Sequence, residues 1–169
     1  MTSPVLEAIY KRRSIREFTD APISIEQLHE IVKAGMWAPS GMNNQPWRFV
    51  IIKDPGIKEQ LAQQTHYGHM VMNANALIAV YLSKEEMYDE VKDHQSAGAC
   101  LQNMLLAAEA LGLGAVWLGQ ILKNKAEVNR ILGLADNFDL MAVVVLGHPL
   151  HHNQKSKRKE LAELLLKQL

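Results

Sequence analysis

With only one cysteine, Cys100, the chain has no means of forming an internal disulfide or a site built from several thiolates. It also lacks a charge excess: 18 Lys and Arg offset 18 Asp and Glu, leaving no net field to draw the whole chain to nucleic acid or an anionic membrane. No apolar run approaches the ~20 residues that span a bilayer. The start, Met1-Thr2-Ser3-Pro4-Val5-Leu6-Glu7, has neither the charged nor the apolar region of a leader. No Gly-x-Gly-x-x-Gly follows a strand pattern, and Ser14, Ser40 and Ser96 lie in no nucleophile elbow. His148, His151 and His152 lack the helical spacing and neighbouring Cys or carboxylate of a metal site. The expectation is a cytoplasmic protein of a reducing compartment, with no metal. Cys100, set among Ala99, Leu101 and Met104, reads as a core residue rather than a nucleophile.

What remains is a chain of 169 residues, 48% hydrophobic and 21% charged, which fits one domain. Folding at that length buries roughly 70% of the unfolded surface. Ser3-Pro4 opens a first helix with Val5, Leu6 and Ile9 on its apolar side and an Arg cluster at its end. Ser24 and Gln27 form a capping box for a second helix ending near Trp37, since Pro39 disfavours helix before it. Residues 49–52, 76–82 and 141–146 read as buried strands, and 114–119 as a strand and turn bounded by glycines. Asp54-Pro55 starts a helix, Asn124 and Glu127 suggest another capping box, and Leu161, Leu164 and Leu165 a short closing helix. Residues 65–75 have no clear period and read as loop. Residues 96–111 are apolar on nearly every side, broken only by Gln102, Asn103 and Glu109, so a helix with two packing partners is expected. A dimer interface with Leu105 at its core follows. The expected fold class is α+β, a mixed sheet flanked by helices, without repeat or linker.

Two segments carry the chemistry. Arg12-Arg13-Ser14-Ile15-Arg16 packs three guanidinium groups and a hydroxyl into five residues, rigid donors for phosphate and carbonyl oxygens. Alone it is a solvated helix end as readily as a site. Ala38-Pro39-Ser40-Gly41-Met42-Asn43-Asn44-Gln45-Pro46-Trp47 is an amide-rich loop that can donate and accept along a polyol. Its composition is equally that of an ordinary cap and turn. Together the two suggest a flavin mononucleotide (FMN) site.

In order and spacing these segments resemble the nitroreductase family of FMN-dependent NAD(P)H oxidoreductases. Gln102-Asn103, Leu111-Gly112-Leu113-Gly114-Ala115-Val116-Trp117-Leu118-Gly119, Gly147-His148-Pro149 and a basic stretch over 155–159 extend the resemblance over nearly the whole chain. It implies a single FMN-binding domain over 1–169 in an intertwined homodimer. Arg12, Arg13, Ser14 and Arg16 would meet the phosphate, ribityl chain and pyrimidine oxygens. Pro39, Ser40, Gly41 and Asn43 would reach a flavin held mainly by the partner subunit, with Asn44 and Gln45 ranked lower. Trp117, Leu118 and Gly119 would run along the ring, a backbone N–H near Gly119 directed at N5. This position is an acid in one branch of the family and glycine here. Residues 155–159 would close the phosphate site, Arg158 foremost, with Lys155 and Lys157 as substitutes.

The resulting reading is an oxidoreductase that moves hydride from NADH or NADPH through flavin N5 to a small planar electrophile such as a nitroaromatic or quinone. The cofactor does the chemistry, so no side chain is assigned as catalytic. Two alternatives stay open: a non-catalytic flavin- or nucleotide-binding dimer, and a flavin enzyme of the same fold with other reductive or dehydrogenating chemistry.

Overall fold

The computed structural model describes residues 3–169. Four strands form its sheet: β1 (Trp47–Ile52), β2 (Ala76–Ser83), β3 (Gly114–Leu118) and β4 (Phe138–Gly147), in the order β1-β2-β4-β3. Every residue of β2 is buried, because both faces of this central strand are covered, which is why it reads as an unbroken apolar run. On one face Ile78, Val80, Ala142 and Val144 meet Leu28 and Ile31 of α2 (Ile25–Met36) and Leu101 and Met104 of α5 (Glu90–Ala110). On the other, Leu77, Ala79, Val143 and Val145 meet Leu61 of α3 (Pro55–Ala62), Met70 and Val71 of α4 (Gly68–Asn73) and Val128 of α6 (Lys125–Leu132).

The sheet is antiparallel in all three strand pairings rather than mixed; the one parallel pairing among the described residues is the isolated bridge between Ser14 and Ala115. The helix between β2 and β3 does return the chain to the same direction, as a crossover must, but β4 inserts between those strands and opposes both. Sequence order carries no sign of that insertion.

Local rules account for most helix boundaries. In the capping box of α2, Gln27 N donates to Ser24 Oγ at 3.2 Å and Ser24 N to Gln27 Oε1 at 3.1 Å. Asp54 caps α3 through the amide of Ile57, 2.8 Å away. Three expectations fail for identifiable reasons. Six residues of the 65–75 segment form α4, too short for an apolar period to show. The long helix starts at Glu90 instead of 96, because Asp89 caps it through Lys92 N at 2.9 Å and a polar first turn hides the start. Asn124 makes no cap: its amide donates to Gln64 O at 3.0 Å, and Glu127 is taken by Arg130. At the chain ends, α1 (Pro4–Lys11) and the single turn α7 (Leu161–Leu164) bury no residue at all.

Leu105 is also not where an interface would need it. It is 5% exposed and belongs to the chain's own core, while Gly98, Ala99, Gln102, Asn103, Leu106 and Ala107 make up the half-buried side of α5. Tyr81 presents a different strain: its hydroxyl is buried in β2 without a hydrogen-bond partner among the described residues, and burial pushes the phenol well above its ordinary range. Tyr81→Phe should therefore keep the fold and gain about 1 kcal/mol in urea unfolding, because it removes an unpaired polar group rather than a bond.

Candidate functional site

The arginine segment owes its position to the edge of the sheet. Past α1 the chain turns along β3, with Ile15 N donating to Ala115 O at 3.0 Å. A Cβ at Gly114 would lie 2.7 Å from Ile15 Cβ, so this approach requires glycine. Next, Thr19 N donates to His148 O at 2.8 Å and Leu150 N to Glu17 O at 3.0 Å, so the strand end and the basic stretch beyond it run beside residues 17–19. The outcome is a cavity of about 350 Å³ lined by Arg12, Arg13, Ser14, Arg16, Gln154, Lys155, Ser156 and Arg158. Lys157 is outside that lining.

Five cationic side chains thus face one space with no carboxylate among them, an arrangement that repels itself until an anion enters. Arg12 Nε and Arg13 Nε are buried and have no hydrogen-bond partner among the described residues. Arg13 also has a structural duty, since its Nη1 donates to the carbonyls of Tyr10 at 2.6 Å, Lys11 at 3.0 Å and Arg12 at 2.8 Å, where α1 ends. Arg16 Nη1 makes a longer contact of 3.3 Å to Ser14 O. A multi-oxygen anion such as phosphate matches this donor set.

The amide-rich loop is held in an unusual backbone form. Met42, Asn43 and Gln45 have φ of 51°, 56° and 47°, a left-handed region that costs residues other than glycine roughly 1–2 kcal/mol each. Gln45 N closes the loop onto Ser40 Oγ at 3.1 Å. Gly41 admits the ring of Tyr88, whose hydroxyl would stand 1.8 Å from any Cβ placed there. Pro39, Ser40 and Gly41 line a cavity of about 300 Å³ with Tyr88, Lys92, Gln95, Ser96 and Ala99. Lys92 Nζ stands 5.3 Å from the Tyr88 ring centroid. Asn44 turns its side chain inward, donating to Asp93 Oδ1 at 2.8 Å and Glu86 O at 3.0 Å, whereas the Asn43 side-chain amide has no partner among the described residues.

Along β3, Trp117 is half-exposed and lines a third cavity of about 320 Å³ with His94, Gly98, Leu122, Lys125 and Met141. Leu118 is buried against the opposite core. Gly119 begins a 3-10 turn, and a Cβ there would meet only Trp117 Nε1, at 3.9 Å, so its backbone stays approachable. The next residue, Gln120, accepts from Thr65 Oγ1 at 2.6 Å and from His66 N at 3.0 Å, fastening the 65–75 segment beside this turn.

Within one chain, therefore, candidate residues line three cavities, Pro39, Ser40 and Gly41 share none with the arginines, and Asn43, Leu118 and Gly119 line none of the three. Tyr88, Lys92, Gln95 and Asp93 join the loop's surroundings without any sequence reading having named them. Only Asp89, a capping residue three positions before Lys92, could have drawn attention there. Cys100 is fully buried, and desolvation raises its thiol to about 12. Ellman's reagent at pH 8 should leave it unmodified in native protein and titrate one thiol once the chain is unfolded, because the thiolate is the nucleophile. Among the described residues no three His, Cys, Asp or Glu side chains gather as a metal site, and no helix is long and apolar enough to cross a membrane.

Comparison with known proteins gives one consistent result. The sequence model of the Nitroreductase family matches residues 9–68 and 59–148. A protein of Archaeoglobus fulgidus assigned as an NADH dehydrogenase/NAD(P)H nitroreductase is 38% identical over 147 residues, 85% of this chain and 84% of that protein. A structure from Desulfovibrio desulfuricans, assigned as a nitroreductase and solved in complex with FMN, is 50% identical with a TM-score of 0.96, covering 100% of this chain and 99% of that chain. The NADPH:FMN oxidoreductase of Vibrio harveyi, solved with NAD+, is 27% identical with a TM-score of 0.88, covering 99% of this chain and 78% of that chain.

Proposed function

The chain belongs to the nitroreductase family, and from that premise we propose that it is an FMN-dependent NAD(P)H oxidoreductase acting on small planar electrophiles such as nitroaromatics or quinones. The observation that carries this reading is the cavity in which Arg12, Arg13, Arg16, Lys155 and Arg158 converge, with buried donors that lack a partner among the described residues and no acid. Its donor chemistry fits the FMN phosphate. When bound, FMN supplies hydride transfer, accepting from NADH or NADPH at N5 and delivering to the electrophile in the same slot.

The protein's part is to bind and orient. The guanidinium groups of Arg12 and Arg16 hold the phosphate and polar edge, with Arg13 and Ser14 beside them and Lys155 and Arg158 closing the far side. Trp117 and Leu118 belong to the strand along the ring. The open backbone at Gly119 offers an N–H to N5, a donor that stabilises negative charge without titrating. No side chain acts as acid or base. Residues 65–75, tied through Gln120 to this turn, bound the space an acceptor enters.

The functional unit is a homodimer, with residues 1–169 of each chain acting as one FMN-binding domain. Pro39, Ser40, Gly41 and Asn43 of one subunit wall the flavin held by the arginines of the other. Two features support this: the loop and the arginines share no cavity within one chain, and α1 and α7 expose their apolar sides. Neither nucleic acid nor membrane enters the reading, and the lone thiol suits the cytoplasm.

The test is direct. Freshly purified protein should show an oxidised flavin spectrum and release FMN on denaturation, and anaerobic NADH or NADPH should bleach the yellow colour. Persistent colour would mark a non-catalytic flavin-binding dimer, and apoprotein that takes up no FMN would end the reading. For the shared site, Asn43→Ala and Arg12→Ala subunits, each impaired alone, are mixed and subunit exchange is verified. A heterodimer should regain roughly one intact site; no recovery would put both segments in one subunit's site.

A further inference from the structure

Asp93 is a carboxylate at 0% exposure, in the first turn of α5, with no Lys or Arg paired to it among the described residues. Such a group persists in the interior only when hydrogen bonds replace its water. Oδ1 accepts from Asn44 Nδ2 at 2.8 Å, and Oδ2 accepts from Tyr88 N at 2.9 Å and Asp89 N at 3.0 Å. Desolvation pushes its pKa up, but the bonds from Asn44 and the two amides outweigh it, so the group sits below its ordinary value and stays ionised. Part of this is helix capping, since Oδ2 takes the amide of the N-cap residue Asp89, but Oδ1 is left to bond Asn44, 49 positions away.

What the carboxylate does hold is the amide-rich loop. Asn44 lies between Asn43 and Gln45, two residues in the left-handed region, and Met42 precedes them in the same conformation. Asn44 Nδ2 is shared between Asp93 and Glu86 O, while its Oδ1 is buried without a partner among the described residues. Turning the amide over would set oxygen against both acceptors, so the side chain has one orientation. Through the amide of Tyr88 the same carboxylate steadies the residue whose ring fits against Gly41. One buried anion thus ties down both the tip of the loop and the wall behind it.

We propose that Asp93 is a positioning residue for the cofactor site, holding the 40–45 loop, through Asn44 and the Tyr88 amide, in the form that presents Ser40, Gly41 and Asn43 to the flavin across the dimer. The inference rests on the shared FMN site proposed above. It explains why three residues other than glycine keep positive φ within four positions: the anchor lies between them and points inward.

The experiment uses full-length Asp93→Asn, Asn44→Ala and the double variant. Asn44→Ala removes the link to the loop but leaves Asp93 its two backbone donors. Hydrogen exchange of the apoprotein reads the anchoring itself, at the amides of Asn43, Asn44 and Gln45, and FMN titration with visible circular dichroism reads its consequence. Exchange at those amides should quicken by about tenfold or more, and the FMN dissociation constant should rise by about fivefold or more in each single variant. The double variant should bind no more weakly than Asp93→Asn alone, since that change already breaks the link Asn44 makes to Asp93. The dichroism of the bound flavin should change. Unaltered exchange, or FMN affinity within about twofold of the parent in folded variants whatever their melting temperature, would overturn the proposal. Should Asp93→Asn fail to fold, Asn44→Ala decides by the same criteria. A parent protein that binds no FMN would fail the cofactor reading alone, and the exchange measurement would still decide whether Asp93 holds the loop.

Discussion

Arg12→Ala and Arg16→Ala, made separately, are expected to weaken FMN binding by roughly ten- to a hundredfold while leaving the chain folded. A hydrogen bond to a charged phosphate is worth about 1.5–3 kcal/mol, and neither guanidinium is part of the core. Arg12 should suffer the larger loss, because its Nε has no partner among the described residues, whereas Arg16 already spends a donor on Ser14 O at 3.3 Å. Arg13 differs in kind: its Nη1 closes the end of α1, so Arg13→Ala should lower stability together with affinity. Across the cavity, Arg158→Ala should weaken binding and Lys157→Ala should not, since only the former lines the space. Titration of apoprotein by quenching of FMN fluorescence measures each constant, with far-ultraviolet dichroism to establish folding. Unchanged affinity in both Arg12 and Arg16 variants would remove this segment from the site.

Why some of this was legible in the sequence and some not is a matter of range. Arg12 to Arg16 follow a helix end within five residues, and Ser24, Gln27, Pro39 and Asp54 act on backbone groups two to four positions away, so local chemistry reveals them. The basic stretch reaches the arginines only because residues 17–19 pair with His148 and Leu150, a contact spanning most of the chain. Family resemblance, rather than spacing, links those two segments. The insertion of β4 between β2 and β3, and the bond from Asp93 to Asn44 across 49 positions, leave no local trace. Leu105 shows the reverse error: an all-apolar helix suggested an interface, but the sheet and α2 of the same chain bury that residue.

Deleting residues 161–169 is expected to turn the proposed dimer into a monomer or aggregate and to abolish FMN retention at the same time. Leu161, Leu164, Leu165, Leu166 and Leu169 are all exposed, the last two fully, and α7 buries nothing in its own chain. Val5, Leu6 and Ile9 of α1 are likewise exposed along one side. Burying a leucine gives about 1.5–3 kcal/mol, so five of them can supply a large part of a dimer's binding energy. A subunit that did not associate would lose no packing by the deletion and would unfold at the same temperature as before. Leu105→Asp cannot make this distinction, because a carboxylate forced into the chain's own core unfolds it whether or not it associates. Light scattering with absorbance at the flavin band on the same chromatographic peak reads both outcomes. A truncated monomer still carrying FMN would sink the shared site, and an intact dimer would show that the tail leucines lie outside the interface. Loss of both together is what a cofactor gripped by arginines of one chain and walled by the loop of another requires.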